Sequence, residues 1–160
     1  MRKNWAAAVL IIIFCSLCFC GSEQPERPVI FSSLEEARRT ADSPAVLVFF
    51  LVDCPACYQA IFEVRSMLDE YGPAVELIGI TIGDRKELEE FVDRHEVELA
   101  LVLDRRKTIL KRYGVNHFPY KLALAGDKVI YRDDLYMPGE MQYEELRRCL
   151  NSAFSRSSSN

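Results

Sequence analysis

The chain has 160 residues, 49% of them hydrophobic and 28% charged, with a formal net charge of -4, six cysteines and two histidines. A chain of this length forms one domain and buries about two-thirds of its unfolded surface, so folding does not depend on a disulfide framework. The acidic balance argues against a nucleic-acid binder, which gathers Lys and Arg on one face, and the apolar content leaves no case for disorder.

The first recognisable segment has a basic start and an apolar body. Arg2 and Lys3 precede a stretch from Trp5 to Phe19, broken only by Ser16, and the chain turns polar at Gly21. The stretch is shorter than the ~20 residues that span a bilayer comfortably as a helix, and it suits the apolar region of an export signal. Leu17-Cys18-Phe19-Cys20-Gly21-Ser22 resembles a bacterial lipobox, with Cys20 as the lipidation candidate, although bulky Phe19 stands where a small residue is usual. A lipoprotein signal over residues 1–20 is preferred to an ordinary cleaved signal or an uncleaved membrane anchor. All three place the rest of the chain outside the cytoplasm, in the periplasm or cell envelope, with the lipid anchor as the contact with the membrane.

Residues 21–28 are polar, contain proline and read as a linker to a domain over 29–154. Val29 to Phe31 suits a short edge strand, and Ser32 or Ser33 offers an N-cap for a helix beginning at Leu34. Ala45 to Val52 is a continuous apolar run with β-branched and aromatic residues, the pattern of a strand buried on both faces. Pro55 to Tyr71 carries apolar residues at helical spacing, with Gly72 and Pro73 as its stop. Val75 to Ile82 predicts a second buried strand, Asp84 caps a helix through about His95, and Leu99 to Leu103 returns as a strand. A short basic helix is expected over Arg105 to Tyr113, ending at Gly114. Tyr120 to Ala125 and Lys128 to Tyr131 then form a hairpin about Gly126-Asp127. Glu140 to Phe154 predicts a final amphipathic helix, and the serine-rich 155–160 is expected to be a disordered tail. Strands alternating with helices imply a mostly parallel sheet covered on both faces, with the hairpin adding antiparallel strands at one side: a three-layer α/β/α sandwich.

The chemistry lies where the first buried strand meets its helix. Cys54-Pro55-Ala56-Cys57 leaves that strand directly, which places Cys54 at the N-cap and Pro55 at the first helical position, where its missing N–H costs nothing. Cys54 then faces unpaired backbone N–H groups and the positive end of the helix dipole, which favour thiolate over thiol. Cys57, one turn later, is near enough to close a disulfide but more enclosed. Such a pair divides the labour of thiol exchange: Cys54 attacks a partner's disulfide and Cys57 resolves the mixed disulfide, or the steps run in reverse. Some sixty residues on, Tyr113-Gly114-Val115-Asn116-His117-Phe118-Pro119-Tyr120 sets a proline just before a strand, where a cis linkage would be a deliberate turn.

The order of elements, with C-x-x-C after the first buried strand and Y-G-V-x-x-x-P before the hairpin, resembles the thioredoxin superfamily over about residues 29 to 152. The additional strand and helix between Leu99 and Tyr113 make the chain most similar to membrane-tethered TlpA-like and ResA-like thiol-disulfide oxidoreductases. The resemblance implies a thioredoxin fold with a central mixed sheet and no cofactor. It also implies a cis Pro119 packed against Cys54 and Cys57, and a Phe118 backbone that pairs with a substrate strand. Cysteine-containing exported proteins are the implied partners, with a membrane electron donor or oxidant renewing the pair. Several positions depart from the relatives. Asp53 stands where thioredoxins carry tryptophan, a negative charge that opposes part of the helix-dipole effect. Val48 replaces a buried acid, Ala60 replaces a glutamate, and His117 replaces the usual glycine, which makes His117 a candidate substitute base.

Three readings of the Cys54 and Cys57 pair stand side by side: redox exchange, a structural disulfide and metal binding. Exchange is preferred because junction cysteines with a helix behind them are poised for attack. A structural zinc site wants four ligands, which one C-x-x-C and two scattered histidines do not supply. Cys54, Cys57 and His117 could form a soft three-ligand copper site in the manner of thioredoxin-fold copper chaperones, although those space their cysteines differently. That alternative function is a copper-binding chaperone or a binding module without turnover. A peroxidase is disfavoured because no threonine precedes the pair as it usually does for peroxidatic cysteines. His95 reads as a solvated residue at a helix end, and Cys149 as a small buried hydrophobe rather than a redox partner. Tyr58, Phe62 and Phe91 read as core or flank.

Overall fold

A computed structural model describes residues 28–157. The signal-like segment, with Cys15, Cys18 and Cys20, lies outside the described residues, as do most of the linker and residues 158–160.

Six strands form one sheet: β1 (Ile30–Phe31), β2 (Ala45–Phe50), β3 (Glu76–Thr81), β4 (Ala100–Leu103), β5 (Tyr120–Ala125) and β6 (Lys128–Arg132). Their spatial order is β1-β4-β3-β2-β5-β6, parallel from β1 to β2 and antiparallel from β2 through β5 to β6. The helices are α1 (Leu34–Ala37), α2 (Pro55–Leu68), α3 (Arg85–His95), α4 (Thr108–Tyr113) and α5 (Gly139–Ser157). This is the mixed α/β thioredoxin fold.

Every residue of β2 is fully buried because the strand is central and both its faces are covered. Val46, Val48 and Phe50 point into a core shared with Cys57, Ile61 and Val64 of α2, Leu88 and Phe91 of α3, and Leu146 and Leu150 of α5. Ala45, Leu47 and Phe49 point the other way, into a core closed by Leu34 of α1 and by Ile109 and Leu110 of α4. Strand alternation therefore sorts one apolar run between two layers, as a continuous hydrophobic strand requires.

Several boundaries differ from the sequence reading for local reasons. The helix from Pro55 ends at Leu68 and tightens into a 3-10 segment over Asp69–Ala74, broken at Gly72, whose φ of 51° lies in the left-handed region. The short basic helix begins at Thr108 rather than Arg105. Buried Asp104 accepts hydrogen bonds from the backbone N–H groups of Thr108, Ile109 and Leu110 and from the Thr108 hydroxyl, so residues 105–107 form the turn before the helix. The last helix does not stop at Phe154 but continues to Ser157, into the expected tail. Ser152 and Ser155 there donate to the carbonyls four residues back, which keeps serines compatible with helical backbone.

Candidate functional site

The parallel strands β2, β3 and β4 end together, with Phe50 beside Thr81 and Thr81 beside Leu103, so the segments after them share one end of the sheet. The redox motif leaves β2 at that end. Cys54 is the N-cap of α2 in extended backbone and Pro55 opens the helix, so the fixed φ of proline starts the turn without sacrificing a hydrogen bond. The Cys54 Sγ accepts the N–H of Cys57 at 3.2 Å, and the Cys54 carbonyl accepts the same N–H at 3.0 Å. Cys54 and Cys57 are joined as a disulfide with their Cα atoms 5.2 Å apart. Cys54 is half-buried whereas Cys57 is wholly buried, the asymmetry an attacking and a resolving sulfur need. Asp53, immediately before the pair, is exposed.

Across the sheet end, the Phe118-Pro119 bond is cis. Phe118 packs against the core that contains Cys57 and that Cys54 also touches. His117 is half-buried. Its Nδ1 hydrogen-bonds the Asn116 side chain at 2.8 Å and its ring meets Tyr120 edge-on at 5.0 Å. Val48 and Ala60 are both buried, Val48 within the core that contains Cys57.

A group of residues that the sequence reading did not single out lies on the same face as Cys57. Lys121 sits opposite Val48 in the β2–β5 register and its alternating neighbours Tyr120 and Leu122 face the other core, so its side chain enters the Cys57 layer. There the Lys121 ammonium meets Asp133 at 2.9 Å, with the two side chains only 6% and 4% exposed. It also donates to Gln142 at 3.1 Å and lies 5.0 Å from the Tyr143 ring centroid. Asp133 accepts the Lys121 backbone N–H and the Tyr131 hydroxyl, both at 2.7 Å, and Tyr143 donates to Glu63 of α2 at 2.6 Å. Burial, and then the bond to Asp133, raise the Tyr131 phenol; burial and Glu63 do the same to Tyr143, so both stay protonated donors. A lysine at an inward position of an alternating strand was the available signal.

His95 is the last residue of α3, as expected, and is only partly solvated: its ring also lies tilted against Tyr58, with centroids 4.4 Å apart, and against Phe91 at 4.8 Å. Phe91 is core, whereas Phe62 is 63% exposed. Cys149 is a free thiol, half-buried against the core, and its Sγ donates to Glu145 at 3.7 Å. Among the described residues no group of three His, Cys, Asp or Glu side chains could hold a metal ion, so Cys54, Cys57 and His117 are not drawn together as ligands. No described helix is long and apolar enough to cross a membrane.

With this arrangement in place, the comparison with protein families is decisive: residues 28–134 match the AhpC/TSA family. The chain belongs to the AhpC/TSA family. Among solved structures, it is similar to StoA from Bacillus subtilis, with 18% identity, TM-score 0.55, and 68% of this chain and 85% of that one covered. A thiol-disulfide oxidoreductase from Bacteroides fragilis has 21% identity and TM-score 0.59, covering 71% and 86% of the two chains. A secreted Mycobacterium tuberculosis disulfide oxidoreductase homologous to DsbE of E. coli has 22% identity and TM-score 0.51, covering 66% and 82%. No curated protein matches the sequence. These likenesses establish the fold of this AhpC/TSA family member, and the Cys54–Cys57 pair at its strand-to-helix junction fits a thioredoxin-like oxidoreductase.

Proposed function

We propose that this chain is an extracytoplasmic thiol-disulfide oxidoreductase that exchanges its Cys54–Cys57 dithiol or disulfide with cysteines of exported proteins. The carrying observation is the split between half-exposed Cys54 at a helix N-cap and wholly buried Cys57 one turn on. In the reducing direction, the Cys54 thiolate attacks one sulfur of a partner disulfide. A mixed disulfide forms and the partner's second sulfur leaves as thiolate with the electron pair. Cys57 gives up its proton and attacks the Cys54 Sγ, which closes the pair and releases the partner's first sulfur as thiolate. Phe118 and Pro119 form the edge on which the partner's chain lies, and His117 is the candidate acceptor of the proton.

Export is supported by the basic-apolar-polar order of residues 1–24 and by the secreted relative named above. In the proposed organisation residues 1–20 are the signal, 21–28 the linker, and Cys20 carries lipid that holds the domain at the membrane. Fractionation of cells expressing the full chain and a Cys20→Ser variant tests this: the wild type is expected in membranes and the variant released. Insulin reduction tests the chemistry. Cys54→Ser is expected to fall to background, and Cys57→Ser to stop after one event with a stable mixed disulfide. Turnover by either variant at the wild-type rate would refute the assignment. A His117→Ala profile between pH 5 and 8 that is unchanged would remove the base role.

A further inference from the structure

One corner of the molecule combines exposed apolar side chains with uncompensated negative charge. Phe62 on α2 is 63% exposed, Leu135 and Tyr136 in the loop after β6 are 65% and 95% exposed, and Met141 in the first turn of α5 is 54% exposed. The remaining large exposed apolar side chains among the described residues are Tyr58, one turn before Phe62, and Val29 at the edge strand. Isolated exposed apolar residues need no explanation, but a cluster at one place marks a contact surface.

The topology brings this corner beside Cys54. Strand β5 starts just after Pro119 at the redox end, and β6 runs back antiparallel to it, so the loop from Asp133 returns to that end. Helices α2 and α5 both begin there. Between them lies a groove of about 580 Å³ lined by Phe62, Met67, Glu63, Glu140 and Tyr143, among others. Its one basic residue, Arg147, is engaged with Glu70 at 3.0 Å. Lys121 is buried on Asp133 and offers no free charge to the surface. Asp53, Asp134 and Glu140 are exposed around the patch, and Glu63 accepts the Tyr143 hydroxyl. The surface is therefore apolar at its centre and acidic at its rim.

We propose that this corner selects the exchange partner: it receives a cysteine-bearing segment that carries a large apolar side chain and an adjacent Lys or Arg. This rests on the exchange chemistry proposed above and is distinct from backbone docking at Phe118. The spacing follows from helix geometry. Phe62 lies eight positions beyond Cys54 along α2, about 12 Å at 1.5 Å per residue. An extended segment bound at Cys54 reaches Phe62 with the side chain three or four residues from its cysteine, at about 3.3 Å per residue. Basic residues beside that side chain meet Glu63 and Glu140.

The test uses the reduced full chain carrying Cys57→Ser and synthetic peptides whose single cysteine is capped with thionitrobenzoate. Attack by Cys54 forms the Cys54-peptide disulfide, breaks the peptide-cap bond and releases the coloured thionitrobenzoate anion with the electron pair. A peptide with leucine at the fourth position after cysteine and two adjacent lysines is compared with versions carrying serine for leucine or glutamate for lysine. The first is expected to react roughly tenfold faster than either, and Phe62→Ser or Glu140→Lys should remove the corresponding preference. Reaction with a small uncharged disulfide should be the same in all variants, which shows that they are folded and that Cys54 is competent. If that small-disulfide reaction is absent in every protein, the exchange reading itself fails. If it is present but the peptides react alike, or the acidic peptide is preferred, only the selection proposal is overturned. A dimer in sedimentation velocity that Phe62→Ser dissolves would assign the corner to a second copy and overturn it equally.

Discussion

Cys54 and Cys149 are chemically the same group placed in opposite circumstances. Cys54 caps α2, where backbone N–H groups and the helix dipole stabilise an anionic sulfur, against the opposing charge of Asp53. Cys149 sits half-buried within α5. Burial first, and then the neighbouring Glu145 carboxylate, push its thiol above the ordinary cysteine range. A raised value means less thiolate at any given pH, and the thiolate is the reactive form. In the reduced protein at pH 8, iodoacetamide should therefore modify Cys54 first and Cys149 more slowly than a free cysteine. The Cys149 rate should keep rising at alkaline pH after the free cysteine has levelled off, because its thiol loses its proton later. Peptide mapping after timed quenching reads both rates. Cys149 labelling as fast as Cys54 at pH 8 would contradict the packing described for it.

At the scale of elements, β5, β6 and α5 are held to one another by a buried charge pair. Lys121 of β5 meets Asp133, just beyond β6, while Gln142 and Tyr143 of α5 contact the same ammonium. Two charges so little exposed cost several kcal/mol each to desolvate, and their attraction together with the added hydrogen bonds offsets this. Removing one partner strands the other. Asp133→Ala is expected to destabilise the domain by about 3–5 kcal/mol, since it leaves the buried Lys121 ammonium without its counter-ion and the Tyr131 hydroxyl without its acceptor. Lys121→Met with Asp133→Asn should cost less than Asp133→Ala alone, because neither charge is then buried unpaired. Urea unfolding of Lys121→Met, Asp133→Asn and the two combined, analysed as a cycle, measures the coupling. Additive losses would show that the pair is not coupled. The β-strand pattern carried this lysine in plain view, but not its partners: Asp133 and Gln142 are 12 and 21 residues away and meet it only once the hairpin is folded and α5 docks. Asp104 likewise gave no local sign that it would hold the start of α4 and delay it to Thr108.

Across the whole molecule, what could be read in advance was what depends on neighbours along the chain. The continuous apolar run of β2, the cap at Cys54 with proline behind it, and the turn at Gly126 each specify their conformation within a few residues, and the sheet followed from them. What could not be read depends on which surfaces remain uncovered after folding. Phe62 has the type and spacing of a core or flanking residue, yet α5 docks beside it without covering it. Such a surface, set in a chain with 24 acidic and 20 basic residues, carries a kinetic consequence. Exposed carboxylates around Cys54 attract cationic segments over a distance set by the Debye length, about 10 Å at 0.1 M salt and about 3 Å at 1 M. The encounter rate with the lysine-bearing cysteine peptide should accordingly fall severalfold as salt rises from about 0.02 M to about 0.5 M. The rate with its glutamate version should rise over the same range, because screening removes repulsion. A small uncharged disulfide should react at nearly constant rate, since it feels no long-range field. Stopped-flow measurement of thionitrobenzoate release gives all three salt profiles, and parallel profiles for the two charged peptides would show that the acidic rim does not steer partners to Cys54.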